Sequence, residues 1–194
     1  MKRKLNSCLI ILGSAMVLQA CVPAAIIGGT AVTGKIINDP RSLKTQLSDD
    51  VLEHRVMVAL GKDPQLKKEA RIDAVSYNHD ILLVGQVPSE ELKAQAGNIT
   101  RGVQYVQAVY NELLVNQPIS ASQVLTDVRI TSEIKSKLLV TPNVNSTNVK
   151  VITENGNVYL MGNVLAGQAK IIVNIARQIS GVKQVFNAMR IVSN

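Results

Sequence analysis

Ala74-Val75-Ser76-Tyr77-Asn78-His79-Asp80-Ile81-Leu82-Leu83-Val84-Gly85-Gln86-Val87 is answered, position for position, by Val151-Ile152-Thr153-Glu154-Asn155-Gly156-Asn157-Val158-Tyr159-Leu160-Met161-Gly162-Asn163-Val164. The spacing is constant across the block, so one structural unit is written twice. Each block reads as two strands and a tight turn. Asn155-Gly156 is the best short hairpin signal in the chain because both residues accept positive φ, whereas Asn78-His79 is a less favourable pair. Downstream, Val106-x-x-Val109-x-Asn111-x-Leu113-x-Val115 is matched by Val182-x-x-Val185-x-Asn187-x-Met189-x-Ile191, with the segment before it one residue shorter. Two copies of about 65 residues predict two small domains near the lower limit for independent folding.

Helical periodicity flanks the strands. Leu52, Val56, Ala59 and Leu60 gather on one side of a first helix, and Ile130, Ile134 and Leu138 do so in the second copy. Pro64 and Pro142 are expected to close these helices. A second helix is expected over residues 89 to 101, with Ser89 as N-cap and Glu90 and Glu91 at its positive end, and a counterpart over 167 to 179. Alternating strands follow near 108 to 115 and 184 to 192. The order αββαβ predicts an α+β fold, each domain a small mixed three-stranded sheet packed on two helices. The domains are placed at residues 50–116 and 126–194.

The N-terminus sets the compartment. Lys2, Arg3 and Lys4 precede an apolar core over residues 5 to 18, too short and too interrupted by Asn6, Ser7 and Gly13 to span a bilayer. Leu18-Gln19-Ala20-Cys21 then resembles a bacterial lipoprotein processing box. Residues 1–20 are accordingly read as a signal peptide and Cys21 as the lipidation site, with an ordinary cut near Ala20 or Ala25 as the alternative. One acyl chain binds a bilayer with a constant of only about 10⁴ M⁻¹, so the three of a bacterial lipoprotein would make attachment effectively permanent. Residues 21–49 read as the lipidated end and a flexible tether, since residues 23 to 34 lack a steady period and Asn38-Asp39-Pro40-Arg41-Ser42 has turn chemistry. The run Ile26-Ile27-Gly28-Gly29 could also lie against the bilayer.

Composition narrows the chemistry. Cys8 leaves with the signal and Cys21 takes the lipid, so no thiol is expected for a disulfide, a nucleophile or a metal site. His54 and His79 read as lone surface histidines without a second ligand at useful spacing. No cofactor, metal or small-molecule substrate is expected. With no paired nucleophile and base, phosphate loop or convergent carboxylates, and Asp80 read as turn chemistry, the chain is not expected to be an enzyme. Nucleic acid is suggested only by the precursor's net charge of +7, which falls to +4 once Lys2, Arg3 and Lys4 are removed.

These residues carry a family resemblance. A glycine after the hairpin's second strand (Gly85, Gly162), a helix, and a closing strand with Val-x-x-Val-x-Asn resemble the BON domain of bacterial envelope and osmotic-stress proteins. Lys67-Lys68-Glu69-Ala70-Arg71-Ile72, Val109-Tyr110-Asn111-Glu112 and Gln117-Pro118-Ile119, in order behind the processing box and Asp39-Pro40-Arg41-Ser42, extend the similarity over essentially the whole chain, to the dual-BON lipoproteins. The resemblance implies a periplasm-facing, lipid-anchored outer-membrane protein that binds anionic phospholipid through its second BON domain. It also implies enrichment at the division site and support of cell division and envelope integrity. Val22 rather than Asp after the cysteine agrees with outer-membrane sorting in enteric-type bacteria.

Charge gives separate support to the lipid reading. Residues 50 to 115 hold seven Lys and Arg against nine Asp and Glu, a net of −2, while residues 127 to 194 hold eight against three, a net of +5. An anionic surface attracts each nearby basic residue by about 1 kcal/mol, so the second domain is the better candidate for lipid. On a helix over residues 127 to 140, Val128, Lys135 and Leu139 fall nearly opposite the core side and are flanked by Arg129, Ser132 and Ser136. These six are the expected phospholipid-binding residues, apolar tips mixed with cations. The alternative is an ordinary solvated face. The similar proteins carry an aromatic anchor where this chain has Arg129, so its binding is expected to lean more on charge and to be more salt-sensitive. An adaptor for division or outer-membrane assembly proteins is the competing function.

Overall fold

The computed structural model describes residues 43 to 193. Cys21, the signal segment and most of the expected tether lie outside the described residues. Helix α1 spans Leu43–Leu60, so residues 43 to 49, read from sequence as the end of the tether, are helical. Pro64 does not close it. The helix stops ahead of Gly61, and Pro64 instead opens the short helix α2 (Pro64–Glu69), where a missing N–H costs nothing and the Asp63 side chain accepts from the amides of Gln65 and Leu66.

Strands β1 (Arg71–Tyr77) and β2 (Asp80–Val87) form the first hairpin, helix α3 (Glu90–Arg101) follows, and the closing strand is split into β3 (Ala108–Asn111) and β4 (Leu114–Val115). The second repeat runs α4 (Ala121–Val140), β5 (Val149–Glu154), β6 (Asn157–Val164), α5 (Ala166–Arg177) and β7 (Gln184–Ile191). In each sheet the middle strand pairs antiparallel with its hairpin partner and parallel with the closing strand. Ser89 caps α3 and Ser120 caps α4, which therefore begins six residues before the expected start at 127.

Period-two alternation sorts the middle strands. Ile81, Leu83 and Val87 face α1, α2 and α3 in one core, while Val158, Leu160 and Val164 face α4 and α5 in the other. The intervening residues, Leu82, Val84, Tyr159 and Met161, meet each other with Tyr77 in a third core between the two sheets. The molecule is thus four layers, helix, sheet, sheet and helix. Tyr159 and Phe186, neighbours across β6 and β7, stack with centroids 4.8 Å apart in the middle layer.

The family glycines have a steric cause. A Cβ on Gly85 would stand 2.0 Å from the carbonyl oxygen of Arg71, and one on Gly162 would stand 2.1 Å from that of Asn148. Only glycine lets the hairpin strands approach so closely.

The hairpin turns rest on two buried carboxylates. Asp127 accepts from the amides of Asn155 and Gly156 at 2.7 and 2.8 Å, and Asp49 accepts from those of Asn78 and His79 at 2.9 and 2.8 Å. Asn78 and His79 both have positive φ, 52° and 66°, so the pair judged less favourable forms the same turn with Asp49 fixing it. His79 is half-buried rather than a free surface group, its Nε2 lying 2.7 Å from Ser48 Oγ.

Candidate membrane-facing surface

Alternation along β1 and β5 sends Arg71, Asp73 and Tyr77, and Lys150 and Glu154, toward the opposite sheet. Glu154 Oε1 accepts from Arg71 and from Gln86, each at 2.5 Å, and Tyr77 donates its hydroxyl to the Asn148 carbonyl at 3.3 Å. Adding the repeat offset of 77 turns Arg71 into 148 and Tyr77 into 154, so the same two positions meet twice with the roles of the repeats exchanged. The domains are related by an approximate two-fold axis through the middle core. Lys150 Nζ donates to Glu53 at 2.7 Å and to the Ser76 carbonyl at 2.8 Å. Its repeat counterpart, Asp73, borders a cavity of about 250 Å³ with Thr131, Thr153 and Glu154. Asp73 keeps contact with solvent, yet partial desolvation beside the cavity raises its carboxyl above the ordinary range, and the Glu53 charge adds to the effect.

Asp80 is not turn chemistry. It opens β2, is buried, and pairs with Arg190 of β7 at 2.6 Å across the domain interface. Lys150 and Arg190 are therefore two of the eight basic residues that made the second domain positive, and both face carboxylates of the first. The charge division partly describes how the domains hold each other, leaving six cations of the second domain outside this interface.

Helix α4 buries Ile130, Ile134 and Leu138 against its sheet. Opposite them Val128 is 58 % and Leu139 74 % exposed, with Ser132, Lys135 and Ser136 exposed between. Two further residues belong to this surface: Leu125, 70 % exposed, and Val140, 79 % exposed. Leu125 lies three residues before Val128 on the same stripe, in the first turns of α4 that precede the expected start at 127. Ser120, three residues ahead of Gln123 whose amide it accepts, is the signal that marks the true start.

Arg129 stands at the edge of this stripe. Its guanidinium donates to Glu133 at 3.0 Å and to the Ser180 carbonyl at 2.8 Å, tying α4 to the loop before β7. Lys137 lies 3.7 Å from the same Glu133. Lys135, seven residues from Val128 and four from Leu139, is the cation best placed among the exposed apolar tips. No described helix is long and apolar enough to cross a membrane.

The BON domain family matches this chain twice, over residues 48–117 and 126–193. The chain is 48 % identical over 181 residues to the outer membrane lipoprotein DolP of Haemophilus influenzae, covering 93 % of each. It is 45 % identical over 154 residues to a 21 kDa hemolysin of Actinobacillus pleuropneumoniae, covering 79 % of each. Osmotically-inducible protein Y of Escherichia coli is 31 % identical over 147 residues, with 74 % of this chain and 73 % of that one covered. The two repeats are two BON domains packed sheet to sheet, and the chain belongs to the BON-domain family, in close relation to the outer membrane lipoprotein DolP.

Proposed function

We propose that this protein is an outer-membrane lipoprotein, anchored through Cys21 and facing the periplasm, whose second BON domain makes a reversible contact with anionic phospholipid and so supports envelope integrity and cell division. The observation that carries the lipid contact is the outward stripe of α4, where Leu125, Val128 and Leu139 are exposed beside Lys135. Isolated exposed aliphatic residues are ordinary, but a row of them on one helix face with a cation among them suits a helix that lies in the interface. The four-layer fold also sets α4 and α5 on the outer side of the second sheet; Val128 and Ser132, at one edge of the stripe, border the cavity shared with Arg71 and Asp73 of the first domain, while Leu125, Lys135 and Leu139 lie outside that cavity. Anchor and location are supported by the processing box and by the relation to a named outer membrane lipoprotein.

Vesicle flotation of residues 21–194 carrying Cys21→Ser tests this reading. Binding to vesicles containing phosphatidylglycerol but not to purely zwitterionic ones is expected. It should weaken about tenfold on replacing Leu125 and Leu139 by Asp, the loss of two apolar side chains from the interface. Equal binding to both vesicle types contradicts the electrostatic part, and unchanged binding by the double variant contradicts the assignment to α4.

The adaptor reading is not favoured by a specific feature of α4. It attaches to the first domain, whose helical face carries Val51, Val58 and Tyr105 exposed, with the Arg55 guanidinium 5.8 Å from the Tyr105 ring.

A further inference from the structure

The two repeats carry the same asparagine, arginine and asparagine at equivalent places, Asn98, Arg101 and Asn111 in the first and Asn174, Arg177 and Asn187 in the second, all 76 residues apart. In the first domain the set is closed on itself. Arg101 donates to Asn98 Oδ1 at 2.7 Å, and Asn111 Nδ2 donates back to the Lys93 carbonyl at 2.8 Å. That return bond needs Gly97, because a Cβ there would stand 2.8 Å from Asn111 Nδ2.

The second domain has Val173 in place of Gly97 and Lys170 in place of Ala94. With the valine present, Asn187 does not reach back to the helix. Its Oδ1 instead accepts from the Met189 amide at 3.0 Å, which leaves its Nδ2 as a donor. Between α5 and the outer strand β7 lies a groove of about 380 Å³ lined by Lys170, Val173, Asn174, Arg177 and Asn187. At 100° per residue, Lys170, Asn174 and Arg177 share one side of α5 within about 60°. Among the described residues the side chains of these three make no hydrogen bond or ion pair, and α5 has no acidic residue.

We infer that this groove binds a phosphoryl group. Two cations and two side-chain amides present donors to one cleft, and every carboxylate of the domain is engaged elsewhere: Asp127 by the hairpin, Glu133 by Arg129, Glu154 by Arg71. An arginine fork beside amide donors matches the geometry of phosphate oxygens. The inference deepens the phospholipid reading, on which it rests for its membrane source. It places headgroup recognition on α5 and β7, beside rather than on the apolar stripe of α4.

The test uses residues 21–194 with Cys21→Ser, glycerol 3-phosphate as the soluble probe, and phosphatidylglycerol-containing vesicles as the membrane probe. The side-chain amide resonances of Asn174 and Asn187 should shift with a phosphoryl ligand. A shift with glycerol 3-phosphate assigns the site to any phosphate monoester, and a shift with the vesicles alone assigns it to the lipid headgroup. Lys170→Ala with Arg177→Ala should weaken vesicle binding about tenfold or more. A charge-matched Lys62→Ala, Lys67→Ala variant in the first domain should bind as the parent does. Amides that move with neither probe, together with a groove variant indistinguishable from its charge-matched control, overturn the inference. If that outcome comes with lost binding in the Leu125, Leu139 variant, the α4 reading stands without the groove. If only the groove variant loses binding, the groove stands and the α4 reading falls.

Discussion

Asp49 and Asp127 each stand near the start of a repeat and each give a carboxylate to two backbone amides of a hairpin some thirty residues later. A buried amide left without an acceptor costs about 1–3 kcal/mol, so Asp127→Ala should lose about 3 kcal/mol in urea unfolding. Asp49→Ala should lose more, because Asn78 and His79 hold positive φ without a glycine and depend on the carboxylate to stay there. An equal or smaller loss at Asp49 would refute that dependence. Asp73 acts in the opposite sense. Its carboxyl is raised in the folded protein, so the native state holds the proton more tightly than the unfolded one. Stability therefore falls as pH rises from below the ordinary carboxylate value, about 4, through the raised one. Asp73→Asn should melt higher than the parent at pH 7, with the gain gone near pH 3. A difference between the two that does not change with pH would contradict the assignment.

Elements were legible wherever a local signal set them. The hairpins, the α3 cap at Ser89 and the second closing strand follow from turn residues, a side-chain acceptor and alternation and lie where those signals put them, while the first closing strand keeps its place but breaks at Glu112 and Leu113. The misplacements have physical causes. Pro64 reads as a stop, but a proline also suits the first turn of a helix, and Asp63 before it is a cap. The starts of α1 and α4 were set too late because their first turns lack a strong apolar period, and with α4 went Leu125. The roles of Asp49 and Asp127 are not legible in sequence, because nothing local links a carboxylate to a turn some thirty residues away. The six expected lipid residues lie on one helix, but they are not equivalent. All six are exposed, but Arg129 is also engaged with Glu133 and Ser180, whereas Lys135 has no ion pair among the described residues.

At the scale of the molecule, the sheet-to-sheet packing is encoded in the two middle strands. Ile81-Leu82-Leu83-Val84 and Val158-Tyr159-Leu160-Met161 are apolar at consecutive positions, the mark of a strand covered on both faces. The repeat predicts two domains and leaves their packing open; the structure adds that the second face of each sheet is buried by the other repeat. This packing also changes the meaning of the charge division, since Lys150 and Arg190 answer Glu53 and Asp80. Breaking the interface should uncouple the halves. Glu154→Ala removes the acceptor shared by Arg71 and Gln86 and should cost about 2 kcal/mol, toward the low side for a buried pair because Arg71 is partly exposed. Calorimetry should show one transition in the parent and a broadened or divided one in the variant, whereas an unchanged endotherm would mean that the apolar middle core alone joins the domains.

The same arrangement turns the two helical faces in opposite directions, so a bilayer can meet one of them at a time. Paramagnetic broadening of residues 21–194 with Cys21→Ser, on anionic bicelles carrying a spin-labelled lipid, reads which face that is. Strong broadening at Leu125, Val128, Lys135 and Leu139, with Val51, Val58 and Tyr105 unaffected, is the expected result. Broadening centred on the first domain, or spread evenly over both, would contradict the claim that the α4 face of the second BON domain meets the membrane.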